Sequence, residues 1–110
     1  MTNARKQLGQ WGENLAKTHL QSRGYTIVAQ NWRCSRGEMD LIAQEGDMVI
    51  FVEVKTRRGR DLGSPEDAIT LHKARKLFTV AQTYLAEQDS GDIPWRIDLV
   101  AVELDKQGKL

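Results

Sequence analysis

The chain switches between two hydrophobic periods, and the switches divide it into elements. Over residues 4–23, Leu8, Trp11, Leu15, Ala16, His19 and Leu20 recur every three or four positions, which predicts a helix with one apolar face. Gly24 is placed to end it. The period then drops to two: Tyr25, Ile27 and Ala29 alternate with Thr26, Val28 and Gln30, as in a strand. Asn31 to Gly37 is polar and basic and reads as a loop. Residues 38–44 and 48–55 form two β-type runs around Glu45-Gly46-Asp47, which predicts a hairpin. Arg57 to Gly63 reads as a basic, glycine-containing loop.

A second helix is marked more clearly. Ser64 can cap it, Pro65 suits its first position, and Asp67 gives a weaker capping box. Its predicted buried stripe is Ala68, Leu71, Ala74, Leu77, Phe78, Ala81, Tyr84 and Leu85. Ser90-Gly91-Asp92 ends it, and residues 95–104 read as a last strand. The order α-β-β-β-α-β predicts an α/β fold, a mixed β-sheet flanked by helices.

The whole-chain numbers narrow this picture. With 110 residues there is room for one domain over residues 1–110, and 40% hydrophobic residues can build its core. Sixteen basic and fifteen acidic residues leave a net charge of +1, so any nucleic-acid surface must come from local clustering. Cys34 is the single cysteine, which excludes an internal disulfide and a cysteine-based zinc site. The start lacks the apolar run of a signal peptide, and no stretch approaches a membrane span. These features predict a small soluble cytoplasmic protein.

The chemistry lies on the hairpin. In Val49-Ile50-Phe51-Val52-Glu53-Val54-Lys55, strand alternation puts Ile50, Val52 and Val54 on one face and Phe51, Glu53 and Lys55 on the other. An acid and a lysine on a largely apolar strand cost several kcal/mol each unless they are paired or bind a metal. With Glu45-Gly46 as the turn, Asp40 lies diagonal to Glu53; with Gly46-Asp47, it faces Glu53 directly. A one-residue slip would put the two acids on opposite faces. Two carboxylates so placed suit Mg²⁺ or Mn²⁺, with Lys55 in reach of the same place to act on water or phosphate. A half-buried salt bridge between Glu53 and Lys55 is the competing structural reading.

Gly37-Glu38-Met39-Asp40-Leu41-Ile42 followed by Phe51-Val52-Glu53-Val54-Lys55-Thr56-Arg57 resembles the PD-(D/E)xK nuclease superfamily. More closely, it resembles the YraN family of small bacterial proteins, which is similar to archaeal Holliday-junction resolvases. The similarity runs from Gly9-Gln10-Trp11-Gly12-Glu13 to Arg96-Ile97-Asp98-Leu99-Val100. The resemblance implies a restriction-endonuclease-like core. It implies Asp40 and Glu53 as catalytic metal ligands, the Val54 main-chain carbonyl as a third, Lys55 as the catalytic lysine, and Glu13 as a further acidic residue of the metal site from the first helix. Met39 stands where the motif has proline, a position that holds no metal.

Around this cluster, Arg33 and Arg36 on one side and Thr56, Arg57, Arg58 and Arg60 on the other are candidate phosphate contacts. Glu38 reads as a strand-entry acid, His19 as a core histidine, and the second helix's His72, Lys73, Arg75 and Lys76 as a solvated face. Trp11, Trp32 and Trp95 read as packing residues, with Trp32 the one candidate for base stacking. The function expected is a metal-dependent endonuclease acting on nucleic acid, DNA rather than RNA and branched DNA among its forms, as a homodimer. The alternative is a nucleic-acid-binding module that keeps the nuclease fold without cutting.

Overall fold

The structure is a computed structural model and describes residues 2–58, 70–88, 91–105, 107 and 109. Its elements follow the predicted order: α1 Thr2–Ser22, β1 Thr26–Cys34, β2 Gly37–Glu45, β3 Met48–Arg58, α2 Leu71–Glu87 and β4 Trp95–Leu104. Helix α1 stops where the sequence says it should. Gly24 takes φ 91°, and the Tyr25 N–H donates to Leu20 O at 3.1 Å while the Gly24 N–H donates to Gln21 O at 3.0 Å. That is a Schellman motif, in which the left-handed glycine lets two otherwise orphaned helix carbonyls find donors.

The sheet has the order β1-β2-β3-β4. Strands β1 to β3 are an antiparallel meander, and β4 joins β3 in parallel after the α2 crossover, so the sheet is mixed. Each face carries its own apolar cluster. On one, Ala16 and Leu20 of α1 meet Leu41, Ile50, Val52 and Val54. On the other, Leu77, Val80, Ala81 and Tyr84 of α2 meet Met39, Ile42 and Phe51. The helices thus cover opposite faces of the sheet, a layered α/β fold compatible with the restriction-endonuclease-like core. Among the described residues, no helix is long and apolar enough to cross a membrane.

Several local expectations change. The polar segment 31–37 is mostly strand: β1 runs to Cys34, and only Ser35 and Arg36 turn. Its Trp32 and Cys34 pack on the α2-side cluster, so the apolar positions of this segment were outnumbered by its charges rather than absent. β3 extends through Arg57 and Arg58, because pairing with Glu103 and Leu104 of β4 continues to its end. Helix α2 is described from Leu71, with Thr70 as its cap; the Lys73 N–H donates to Thr70 Oγ1 at 3.1 Å. The expected Ser64-Pro65 start lies outside the described residues. The α2 stripe rotates relative to its prediction. Val80 is buried, while Leu71 and Phe78 are 67% and 51% exposed.

His19 and Trp11 are also exposed rather than packed inside. α1 needs only a narrow stripe to cover its share of a four-stranded sheet, and these two lie beside that stripe. Trp32 stacks edge-on against Tyr84, with centroids 5.2 Å apart, which commits its ring to the core rather than to a base.

Candidate functional site

The turn between β2 and β3 sets the register of the site. Glu45 pairs with Met48, leaving Gly46 and Asp47 as the two turn residues, and Gly46 takes φ 61°, a left-handed value suited to a tight hairpin. Of the two registers open in the sequence, this is the one that aims Asp40 at Glu53. The ladder runs from that turn only as far as Leu41↔Val52. Beyond it the strands part. Gly37 to Met39 stay with β1, while Glu53 to Arg58 stay with β4.

Asp40 sits at this fork. Its Oδ2 accepts a 2.7 Å hydrogen bond from the Val54 N–H, which lies past the end of the ladder and would otherwise face an open edge. A residue's N–H and C=O leave a strand on the same side, so the Val54 carbonyl faces the fork as well. The cost of the fork is visible in the alternation. Met39 and Ile42, three apart, both pack on the α2 side, as do Ala29 and Trp32 of β1. Both strands therefore lose the two-residue period at Asp40 and at Asn31, which takes φ 54°. Asparagine tolerates that left-handed conformation better than most residues.

Three carboxylates feel one another here. Burial, a shared hydrogen bond with Glu53, and the charges of Glu53 and Glu13 push Asp40 up to about 8, with the Val54 N–H acting against them. Burial and the charge of Glu38 raise Glu13, opposed by a hydrogen bond from Asn31 and joined by the charge of Glu53. Glu13 Oε1 is buried without a hydrogen-bond partner among the described residues. Glu13 comes from α1 on the far side of the sheet. It arrives because Gly12 lies against Thr56: a Cβ at Gly12 would overlap the Thr56 hydroxyl.

Two lysines answer these acids. Lys73 Nζ stands 3.2 Å from Glu53 Oε2 and Lys55 Nζ 4.0 Å from the same oxygen. The contact with Lys73, then burial, holds Lys55 below the usual lysine range against the pull of Glu53 and Asp40. Burial works against the charge of Lys73, yet hydrogen bonding to Lys55 and Glu53 carries it above that range. The two ammoniums and the acids thus lie close enough to bias one another's protonation.

A cleft of about 580 Å³ opens beside this cluster on the α2 side. Asp40 and Glu53 reach it from the sheet, Arg33 and Arg36 from β1 and its turn, and Lys73 and Lys76 from α2. Gly37, at φ 146°, clears the way for Lys76, since a Cβ there would stand 3.1 Å from Lys76 Cε.

The expected residues separate into those the fold brings together and those it does not. Asp40, Glu53, Val54, Lys55 and Glu13 gather at the fork. Arg36 lines the cleft, while Arg33 lines it already tied to Glu38 at 2.7 Å. Thr56 is turned to α1 under Gly12, away from the cleft. Arg57 is half-buried on β3, Arg58 is exposed at its end, and Arg60 lies outside the described residues. The cations that sequence reasoning missed are Lys73 and Lys76. Their i, i+3 spacing on α2 put them on one helix face, but nothing in the chain said which strand that face would meet. Asn31 was missed because it was read as loop.

The donor set fits a hard divalent cation. All its atoms are oxygens, burial and the neighbouring Glu53 raise Asp40, and one oxygen of Glu13 has no hydrogen-bond partner among the described residues. Among the described residues no group of three or more His, Cys, Asp or Glu is placed to hold a metal ion by side chains alone. The oxygens on hand are those of the Asp40–Glu53 pair and the main chain at Val54, a sparse set that a cation such as Mg²⁺ would have to complete with water and substrate phosphate.

Comparison with known proteins agrees with the resemblance in the motif. Residues 12–102 match the family described as "Uncharacterised protein family UPF0102". A UPF0102 protein of Roseiflexus castenholzii is 45% identical over 105 residues, covering 94% of this chain and 85% of that one. One from Symbiobacterium thermophilum is 47% identical, covering 96% and 89%, and one from Herpetosiphon aurantiacus is 41% identical over the same shares. The matched span begins at Gly12 and closes in β4, so it takes in the whole fork, and the chain belongs to the UPF0102 (YraN) family.

Proposed function

We propose that this chain is a metal-dependent nuclease that hydrolyses phosphodiester bonds in nucleic acid, DNA in preference to RNA. The observation that carries the reading is the fork itself. Asp40 is held on the Val54 N–H at 2.7 Å, beside Glu53 and within reach of two lysines, in a cleft with cationic walls. A purely structural ion pair would need Glu53 and one lysine. It would not need a second carboxylate whose burial keeps it protonated to about pH 8.

In this reading Asp40, Glu53 and the Val54 carbonyl hold Mg²⁺ or Mn²⁺, with Glu13 orienting the acids from α1. When bound, the cation offsets charge on the attacked phosphate and makes a neighbouring water more acidic. Lys55, its proton loosened by Lys73, aligns that water and accepts a proton from it. Arg36 and Lys76 bind flanking phosphates as point charges, contacts that position the strand without reading its sequence. Cutting both strands of a branched or duplex target takes two such sites, which a homodimer supplies.

The second reading, a module that binds nucleic acid without cutting, draws on the ion pair between Lys73 and Glu53, which already satisfies one of the acids. One assay separates the two. Purified protein is incubated with branched, duplex and single-stranded DNA and with RNA, with Mg²⁺, with Mn²⁺ or with a chelator, beside Lys55→Ala. Cleavage that requires the cation and Lys55 supports the nuclease. Retained binding with no cleavage of any substrate supports the module.

A further inference from the structure

Two lysines converge on a single carboxylate oxygen at the fork, and they are not equivalent. Lys55 lies on the same strand as Glu53, two residues away, so its reach is set by β3. Lys73 lies on α2, on the far wall of the cleft, and its ammonium is the nearer of the two, 3.2 Å against 4.0 Å. Its backbone is fixed by the Thr70 cap, and its charge lies at the end of a four-carbon stem with several rotatable bonds. Along the same wall stands Lys76, with Arg36 opposite. A small swing of the Lys73 stem moves its charge from the acids to the place where a phosphate would lie.

We propose that Lys73 is a built-in counter-ion that holds Glu53 when the site is metal-free and moves to substrate phosphate when a divalent cation takes that carboxylate. The inference rests on the reading of the fork as a cation site. Glu53 Oε2 cannot serve both partners. A Mg²⁺ ligand stands about 2.0–2.1 Å from the ion, and an ammonium left about 3 Å from the same oxygen would be strongly repelled. Lys73 therefore neutralises the acid cluster during folding and binds phosphate once the cluster is neutralised by other means. The device also explains why α2 carries a lysine here at all, since Lys55 alone could balance Glu53.

The test is calorimetric titration of Mn²⁺ into metal-free wild type, Lys73→Met and Lys73→Arg. It is paired with binding of a labelled duplex oligonucleotide in chelator and in Ca²⁺. Removing the competing charge should tighten Mn²⁺ binding on the order of tenfold, the weight of a partly buried ion pair, while Lys73→Arg stays near wild type. Lys73→Met should also bind the duplex several-fold more weakly than wild type in Ca²⁺, where the lysine has moved to phosphate, but not in chelator, where Glu53 holds it; an equal loss in both overturns the inference. Lys73→Gln carries the same predictions should the methionine variant fold poorly. A lysine with only a structural role would leave Mn²⁺ affinity unchanged or lower. Wild type that binds Mn²⁺ no more weakly than Lys73→Met overturns this inference and leaves the nuclease reading standing. Wild type and variants that all ignore Mn²⁺ overturn both.

Discussion

Asp40 concentrates the chemistry of the chain in one side chain. An ordinary aspartate loses its proton near 3.8, and this one keeps it to about 8 in the fold. Between those values the folded chain binds more protons than the unfolded chain, so the stability of the metal-free protein should fall as pH rises from about 4 to about 8. The contribution is fully present below pH 4 and gone above pH 8. Asp40→Asn removes the titrating group and should flatten that slope, as thermal unfolding across the pH range would report. The same variant should stabilise the metal-free protein at pH 8, read as a higher Tm than wild type, while abolishing cleavage. A slope that survives in Asp40→Asn would assign the titration to another group. Lys55→Ala should lower the cleavage rate by about 10²–10⁴, the range for a positioned acid or base, with nucleic-acid affinity little changed.

At the scale of elements, the site depends on how close two packed elements can come. α1 delivers Glu13 because Gly12 lets the helix rest on Thr56. Gly12→Val should therefore cost about 1–3 kcal/mol through overpacking, read as a lower denaturation midpoint, and Thr56→Ala in the same chain should restore part of it. No restoration would mean that some other contact sets the helix height. The hairpin was legible in the sequence, with its register open between two turns: alternation in β3 put Glu53 and Lys55 on one face, and Gly46 marked the turn. The fork was not, because alternation predicts continued pairing. The break at Asp40 comes from a carboxylate taking the Val54 N–H in place of a main-chain carbonyl. β1 was cut short because Asn31, Arg33 and Ser35 masked the apolar Trp32 and Cys34. The α2 stripe was misplaced because Phe78 and Leu71 fit helical spacing as well as Val80 does, and spacing alone does not fix which face meets the sheet.

Across the whole molecule the net charge is +1, and around the site acids and cations are interleaved. Arg33, Arg36, Lys73 and Lys76 line one cleft together with Glu38, Asp40 and Glu53, while α1 supplies a further acid from the opposite face of the sheet. The fold's contribution is to bring those two helices to a single gap between β2 and β3. Nucleic-acid binding should accordingly weaken as salt rises, and Lys76→Met should lower affinity about equally for all sequences and reduce the salt slope by about one. An unchanged slope would place the phosphates elsewhere. The central claim is that the fork holds a divalent cation on Asp40 and Glu53, and titration calorimetry of Mn²⁺ at pH 7 in buffers of different ionisation heat tests it most directly. Asp40 is still protonated at that pH, so binding should show one cation per chain with release of close to one proton, and Asp40→Asn should lose both. Binding without proton release, or binding that Asp40→Asn retains, would contradict it.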